Sequence, residues 1–233
     1  MSNLPTPTLA IIGGGPAGLM AAEAACGTGL PVHLFEAKGS VGRKFLIAGK
    51  GGLNLTHSEP RPNFDGRYRE RANDIATWLD SFDADALRAW ARGLGIDTFV
   101  GSSGRVFPTD RKAAPLLRGW VHRLKVAGVQ FHVQHRWLGW DANGALRFAT
   151  PSGEASFTAD ATVLALGGGS WPQLGSDGAW VDALTARGID IAPLQPANCG
   201  FDIAWSDFIA NKFAGAPLKP VVAYWRDAAH IEH

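Results

Sequence analysis

The stretch "LAIIGGGPAGLMAAEAACGTGLPVHLFEA", residues 9–37, constrains this chain more than any other. An apolar run over 8–12 breaks at three glycines, and an alanine-rich segment over 16–27 ends at Gly29 and Pro31. A second apolar run over 32–35 then closes on Glu36. Strand, tight turn, helix and strand in that order make a βαβ unit, the start of a parallel sheet. Gly13, Gly15 and Gly18 have the G-x-G-x-x-G spacing. The first glycine permits the reversal, the second lets a pyrophosphate approach the backbone, and the third lets the helix pack on the strand. Pro16 suits a first helical position, because it has no N–H to leave unpaired. The N–H groups that follow, from Ala17 and Gly18 onward, favour phosphate together with the positive helix end. Glu36, with Ala37 behind it, is placed to accept hydrogen bonds from both ribose hydroxyls of an adenosine. A packed turn without ligand is the competing reading of the same glycines, but their context points to an adenine dinucleotide. A side chain on Gly15 is expected to intrude on the phosphates and to strain the turn.

The segment 38–66 shows little periodicity and reads as a long loop. Helices are expected over 72–81, over 83–94 with Asp83 as N-cap, and over 110–126 with Thr109 as cap. Pro115 inside the last of these calls for a kink or a late start. "VQFHV" (129–133) reads as a strand, followed by "RWLGW", "ALRFAT" and "EASFTA" at short intervals. Asn143-Gly144 and Pro151-Ser152-Gly153 turn these into an antiparallel meander. "ATVLAL" (161–166) is another apolar strand and runs into Gly167-Gly168-Gly169; a last helix over 176–187 starts at Ser176 or Asp177. The fold class is α/β: a Rossmann-like domain with a parallel sheet and a β-meander over 1–192. The beginning of an inserted, β-rich substrate domain, incomplete, is expected over 193–233.

Charge excludes some partners. With 22 basic and 21 acidic residues the chain is nearly neutral, which argues against nucleic acid and anionic membranes and for a small-molecule substrate. Cys26 and Cys199 form no CxxC pair, which fits a reducing compartment. No leader or membrane-length apolar run is apparent, so a cytoplasmic protein is expected. His132 and His135 lie three apart in a strand-like segment, expected on opposite faces and without a cysteine or acid beside them. No metal site is expected.

FAD and NAD both fit the glycine turn. A simple NAD dehydrogenase would continue with further βαβ units, whereas this chain inserts a loop, helices and a meander. That layout resembles the FAD domain of the glutathione-reductase type. No second G-x-G-x-x-G marks a nicotinamide domain, since "GGGSWP" (167–172) ends in proline. "GGGPAGLMAAE", "GRKFLIAGKGGLNLTHSE", "GRVFP", "VLALGGGSWPQLGSDG" and "GFDI" occur in that order. They resemble the bacterial YhiN/BaiN-like flavoprotein family. The resemblance implies an FAD-dependent oxidoreductase with NAD(P)H as electron donor and an organic acceptor, such as an activated enone. In its most diagnostic piece the chain keeps Gly42, Arg43, Lys44, Gly49, Gly51, Asn54 and Thr56. It has Lys50, Gly52, Leu53 and His57 where the family has glycine, arginine, cysteine and asparagine.

Several roles follow from that resemblance. Arg43 and Lys44 neutralise pyrophosphate or fix the loop. Gly49 and Gly51 let backbone amides approach the flavin, and Asn54 bonds the ring or ribitol or serves a turn. Trp137 stands at the adenine or in the core. Ala165, Leu166, Gly167 and Gly168 pack on the adenosine and pyrophosphate, and Gly175 and Asp177 match a further flavin-side region in part. His57 is the candidate general acid. The glycine-rich C-terminal segment of the family is absent, so a C-terminally truncated chain that holds FAD poorly is expected. A non-catalytic FAD- or nucleotide-binding fragment is the alternative, and an RNA-linked flavoprotein is disfavoured by the neutral charge.

Overall fold

The apolar run forms strand β1 (Leu9–Ile12), and the glycines lead into helix α1 (Pro16–Ala25), followed by strand β2 (Val32–Glu36). The structure is a computed structural model that describes residues 6–48, 51–195 and 204–216, with 222, 224, 226 and 230. Helix α2 (Arg43–Ala48), strand β3 (Thr56–His57) and helix α3 (Arg61–Gly66) follow, then α4 (Ala72–Leu79) and α5 (Ala84–Gly93). Strands β4 (Thr98–Val100) and β5 (Arg105–Pro108) precede helix α6 (Ala113–Val126) and strand β6 (Gln130–Val133). The meander is β7 (Arg136–Trp140), β8 (Leu146–Thr150) and β9 (Gly153–Phe157). Strand β10 (Ala161–Leu164), helix α7 (Trp180–Thr185) and helix α8 (Asp207–Phe213) complete the order.

The chain divides into two units, Met1–Leu194 and Gln195–His233. The first carries a parallel four-stranded sheet in the order β10-β1-β2-β6. Side chains of a strand alternate between faces, and both faces here are apolar. Ile11, Val32 and Leu34 pack under α1 and α6 with Leu19, Leu117, Trp120 and Leu124. Ala10, Ile12 and Phe35 pack against the meander through Leu146 and Phe148. Helices on one face and a meander on the other bury a sheet that neither layer could cover alone. A smaller antiparallel sheet, β3-β5-β4, stands apart. In the second unit, α8 is capped by Ser206, whose hydroxyl accepts from Ile209 N.

Four local expectations need correction. The segment 38–66 is not a structureless loop, since it holds α2, β3 and α3. Helix α3 is short and lacks periodicity, but Arg61 pairs with Asp65 one turn on (3.0 Å) and donates to Ala76 O (3.0 Å). Thr109 does not cap α6. Its hydroxyl donates to Asp97 O, and the helix starts at Ala113, leaving Pro115 in the first turn where its missing N–H costs nothing. The last helix of the first unit spans Trp180–Thr185 rather than 176–187, because Ser176 is buried and its hydroxyl donates to Gly168 O. Asp83 does cap α5, accepting from Ala86 N at 2.8 Å.

The fourth concerns the histidines. Strand β6 ends at Val133, and Gln134 takes a φ of 57°, so the strand alternation does not reach His135. Its ring lies 5.6 Å from that of His132. His132 in turn shares a hydrogen bond with His33 of β2, Nδ1 to Nε2 at 2.9 Å, against Phe35 and Phe157. Burial pushes the His33 imidazole below its ordinary value of 6.5, and burial and then the neighbouring His33 and His135 push His132 down too. A lowered folded pKa means that the unfolded chain binds more protons in acid. The stabilisation is therefore full above the unfolded value, about 6.5, and is lost as pH falls below it toward the folded values. The urea midpoint is expected to drop between pH 7 and pH 5.5, and His132→Phe should flatten that drop. An equal drop in the variant would remove this pair as its cause.

Candidate functional site

The chain leaves β1 for β2 and β6 on one side and returns as β10 on the other. The loops after β1 and β10 diverge, opening a crevice beyond the carboxyl ends of the strands, where ligands of such sheets bind. Here the crevice is a hollow of about 300 Å³, adjoined by one of about 490 Å³ that shares Ala37, Trp137, Leu166 and Gly175.

Its floor is the glycine turn, and each glycine has a different task. Gly13 adopts φ 111° and donates to Phe35 O (2.8 Å); a Cβ there would sit 2.2 Å from Ala165 O. A Cβ on Gly18 would lie 1.8 Å from Gly13 O, so this glycine sets the contact of helix with strand. At Gly15 a Cβ would meet no protein atom within 4 Å, and the open space is the crevice. The expected strain at Gly15 is corrected: φ is −80° and ψ −178°, the extended region that a residue before proline prefers. Leu19 N donates to Gly15 O, which leaves the N–H groups of Ala17 and Gly18 as the unpaired donors of the helix start. Neither residue lines the hollow; their N–H groups belong to the helix end that follows Gly15 and Pro16, both of which do.

Glu36 stands at the lip. Its Oε2 accepts from Gly14 N (2.9 Å) and its Oε1 from Lys38 N (2.8 Å). Each oxygen keeps a second lone pair, which suits a pair of ribose hydroxyls. Helix α2 presents Arg43 and Lys44 to the same hollow. Lys44 Nζ reaches Ser170 Oγ (2.7 Å) and Ser176 Oγ (3.5 Å), tying α2 to the loop after β10. That loop supplies Ala165, Leu166, Gly167 and Gly168 as the far wall, and β7 supplies Trp137. In the adjoining hollow Arg136 pairs with Asp177 (2.7 Å), which holds that carboxyl below its usual range.

Gly13, Gly15, Pro16, Glu36, Ala37, Arg43, Lys44, Trp137 and the segment 165–168 are thus brought together around one hollow. Gly49 lies outside the described residues. Gly51 and Asn54 are exposed and do not line the hollow. The Asn54 amide nitrogen, in the orientation that satisfies its neighbours, donates to Thr56 O (2.9 Å). His57 is away from the hollow and has both ring nitrogens engaged: Nε2 donates to Ser103 O (2.9 Å) and Nδ1 accepts from Glu59 N (3.1 Å). That ring pins the β3 end to the loop before β5 and has no free nitrogen for acid catalysis.

Gly14, Ser40, Leu174, Ser176 and His135 also line the hollow and were not anticipated. The signal available for His135 was its place just past the third parallel strand, two residues before Trp137. Among the described residues no group of three His, Cys, Asp or Glu side chains is placed to hold a metal ion. No helix among them is long and apolar enough to cross a membrane.

Residues 7–214 match the family described as "HI0933-like protein Rossmann domain". Over 194 residues the chain is 29% identical to a 3-dehydro-bile acid delta(4,6)-reductase of Clostridium scindens, covering 81% of this chain and 46% of that protein. In fold it is similar to a 3-ketosteroid-delta4-(5alpha)-dehydrogenase from Rhodococcus jostii RHA1, with a TM-score of 0.60, 15% identity, and 81% of this chain and 56% of that one covered. A flavocytochrome c3 fumarate reductase gives 0.55 at 21% identity, over 72% of this chain and 34% of the other. The chain spans about half the length of the curated relative it matches.

Proposed function

The chain belongs to the HI0933-like Rossmann-domain family, and from that premise we propose that it binds FAD as part of an FAD-dependent oxidoreductase. One observation carries the reading: Gly15 opens on a crevice between a free helix N-terminus and the carboxylate of Glu36. Phosphates need the first two and an adenosine ribose needs the third. Ala17 and Gly18 N–H groups, with Arg43 and Lys44, would hold the pyrophosphate; Glu36 would hold the ribose. When bound, the flavin supplies hydride chemistry, and the protein's part is to hold and orient it. The motif resemblance read in the sequence supports NAD(P)H as the electron donor, and the likeness to a 3-dehydro-bile acid delta(4,6)-reductase supports a conjugated ketone as the acceptor that this chain's crevice would hold against the flavin.

Glu36→Ala should weaken FAD binding by about 1.5–3 kcal/mol, the range for hydrogen bonds to a charged group. Part of that loss comes from freeing the Gly14 and Lys38 amides. FAD titration with an unchanged affinity would sink the assignment. A binding module without turnover is the second reading, favoured by the full engagement of His57. Anaerobic bleaching of the bound flavin by NADH or NADPH decides between them.

A further inference from the structure

His135 borders the crevice beside Ala37 and Trp137, and its backbone N donates to Glu36 O (2.9 Å) while Gln134 N donates to Lys38 O (2.9 Å). The residue is thereby pinned next to the carboxylate that takes the ribose, where the base of the same nucleoside must lie. Its Nδ1 is 2.8 Å from Val133 O. A carbonyl oxygen only accepts, so Nδ1 carries the proton and a neutral ring keeps its lone pair on Nε2. Among the described residues Nε2 has no hydrogen-bond partner. The ring cannot swing freely, because Phe35 (5.9 Å), Phe148 (6.0 Å) and His132 (5.6 Å) hold it edgewise. Trp137 Nε1 is buried without a hydrogen-bond partner among the described residues, and the indole stands perpendicular to Trp140 at 4.8 Å. On this wall of the crevice Trp137 adds carbon surface, and His135 presents a fixed ring acceptor beside the Glu36 carboxylate.

We infer that His135 reads the base of the bound nucleotide, its Nε2 accepting a hydrogen bond from the exocyclic amine of adenine and rejecting a 6-oxopurine. The inference rests on the dinucleotide reading above. An amine at position 6 donates to that lone pair. A carbonyl at position 6 sets two acceptors face to face, which repel and leave both without a partner.

The test is calorimetric titration of the whole chain, freed of bound nucleotide, with ADP, IDP and purine riboside 5′-diphosphate. The wild type should bind ADP about tenfold more tightly than IDP and about fivefold more tightly than the purine analogue. His135→Phe keeps the aromatic packing and should bring all three ligands within about twofold of one another. In the wild type, long-range 1H–15N spectra should show the His135 Nε2 resonance moving with ADP and staying with IDP, a readout that needs no variant to fold. Equal binding of ADP and IDP by the wild type, or a tenfold preference surviving in His135→Phe, overturns the inference while leaving the dinucleotide site standing. Failure of the wild type to bind any of the three overturns both.

Discussion

Gly15→Val is expected to yield a folded chain that binds FAD at least about 100-fold more weakly than the wild type, a loss of about 2.8 kcal/mol. Two facts separate the fold from the ligand at this position. The backbone is already extended, with φ −80° and ψ −178°, so a β-branched residue fits without strain. Its side chain would meet no protein atom within 4 Å, only the space that the proposed phosphates would take. The fold loses the modest advantage of glycine over valine at a helix N-cap, about 1 kcal/mol. The measurement is paired: urea unfolding to show that the fold survives, and FAD titration to show that the site does not. A variant that folds and retains its flavin would place the phosphates elsewhere.

Gly18→Ala should fail in the opposite way. Its one added carbon would stand 1.8 Å from the carbonyl oxygen of Gly13, a backbone atom that cannot rotate aside. Either α1 lifts from β1 or the turn opens, and both uncover the layer formed by Leu19, Ala22, Ile11 and Leu34. A loss of more than about 3 kcal/mol is expected, beyond the usual cost of overpacking because the obstacle is main chain. Denaturant unfolding or the yield of soluble chain measures it, and a wild-type midpoint would refute it. Three residues apart in one motif, the two glycines should therefore lose different things. A glycine-rich turn without a ligand predicts loss of stability at Gly18 and, at Gly15, nothing beyond the N-cap loss of about 1 kcal/mol.

The floor of the site was legible in the sequence because each motif glycine answers a local backbone demand, and such demands are written in spacing. The two-faced sheet was legible for the same reason: Ala10 and Ile12 alternate with Leu9 and Ile11 whatever lies above them. The walls were not. Ser176 is buried because the chain after β10 folds back on Gly168, and Lys44 finds Ser170 across 126 positions of sequence. No local pattern encodes a meeting over that distance. His135 was misjudged for a smaller cause, a single left-handed residue at Gln134 that ends the strand alternation one position early. His57 drew notice by its place in a motif, yet both its nitrogens close a local turn.

The pairing of Leu9 with Ala161 has a consequence for the order of events in synthesis. The motif that suggests a nucleotide site precedes its far wall by about 150 residues: Gly13 rests against Ala165, and that wall is made of residues 165–168. A ribosome adding about 5–20 residues per second needs about 8–30 s to pass from one to the other. Throughout that interval the glycine turn has been made and has nothing to close against. A dinucleotide that binds here would therefore have no far wall to meet until residues 165–168 have been made and the returning strand has docked on Leu9–Ile12.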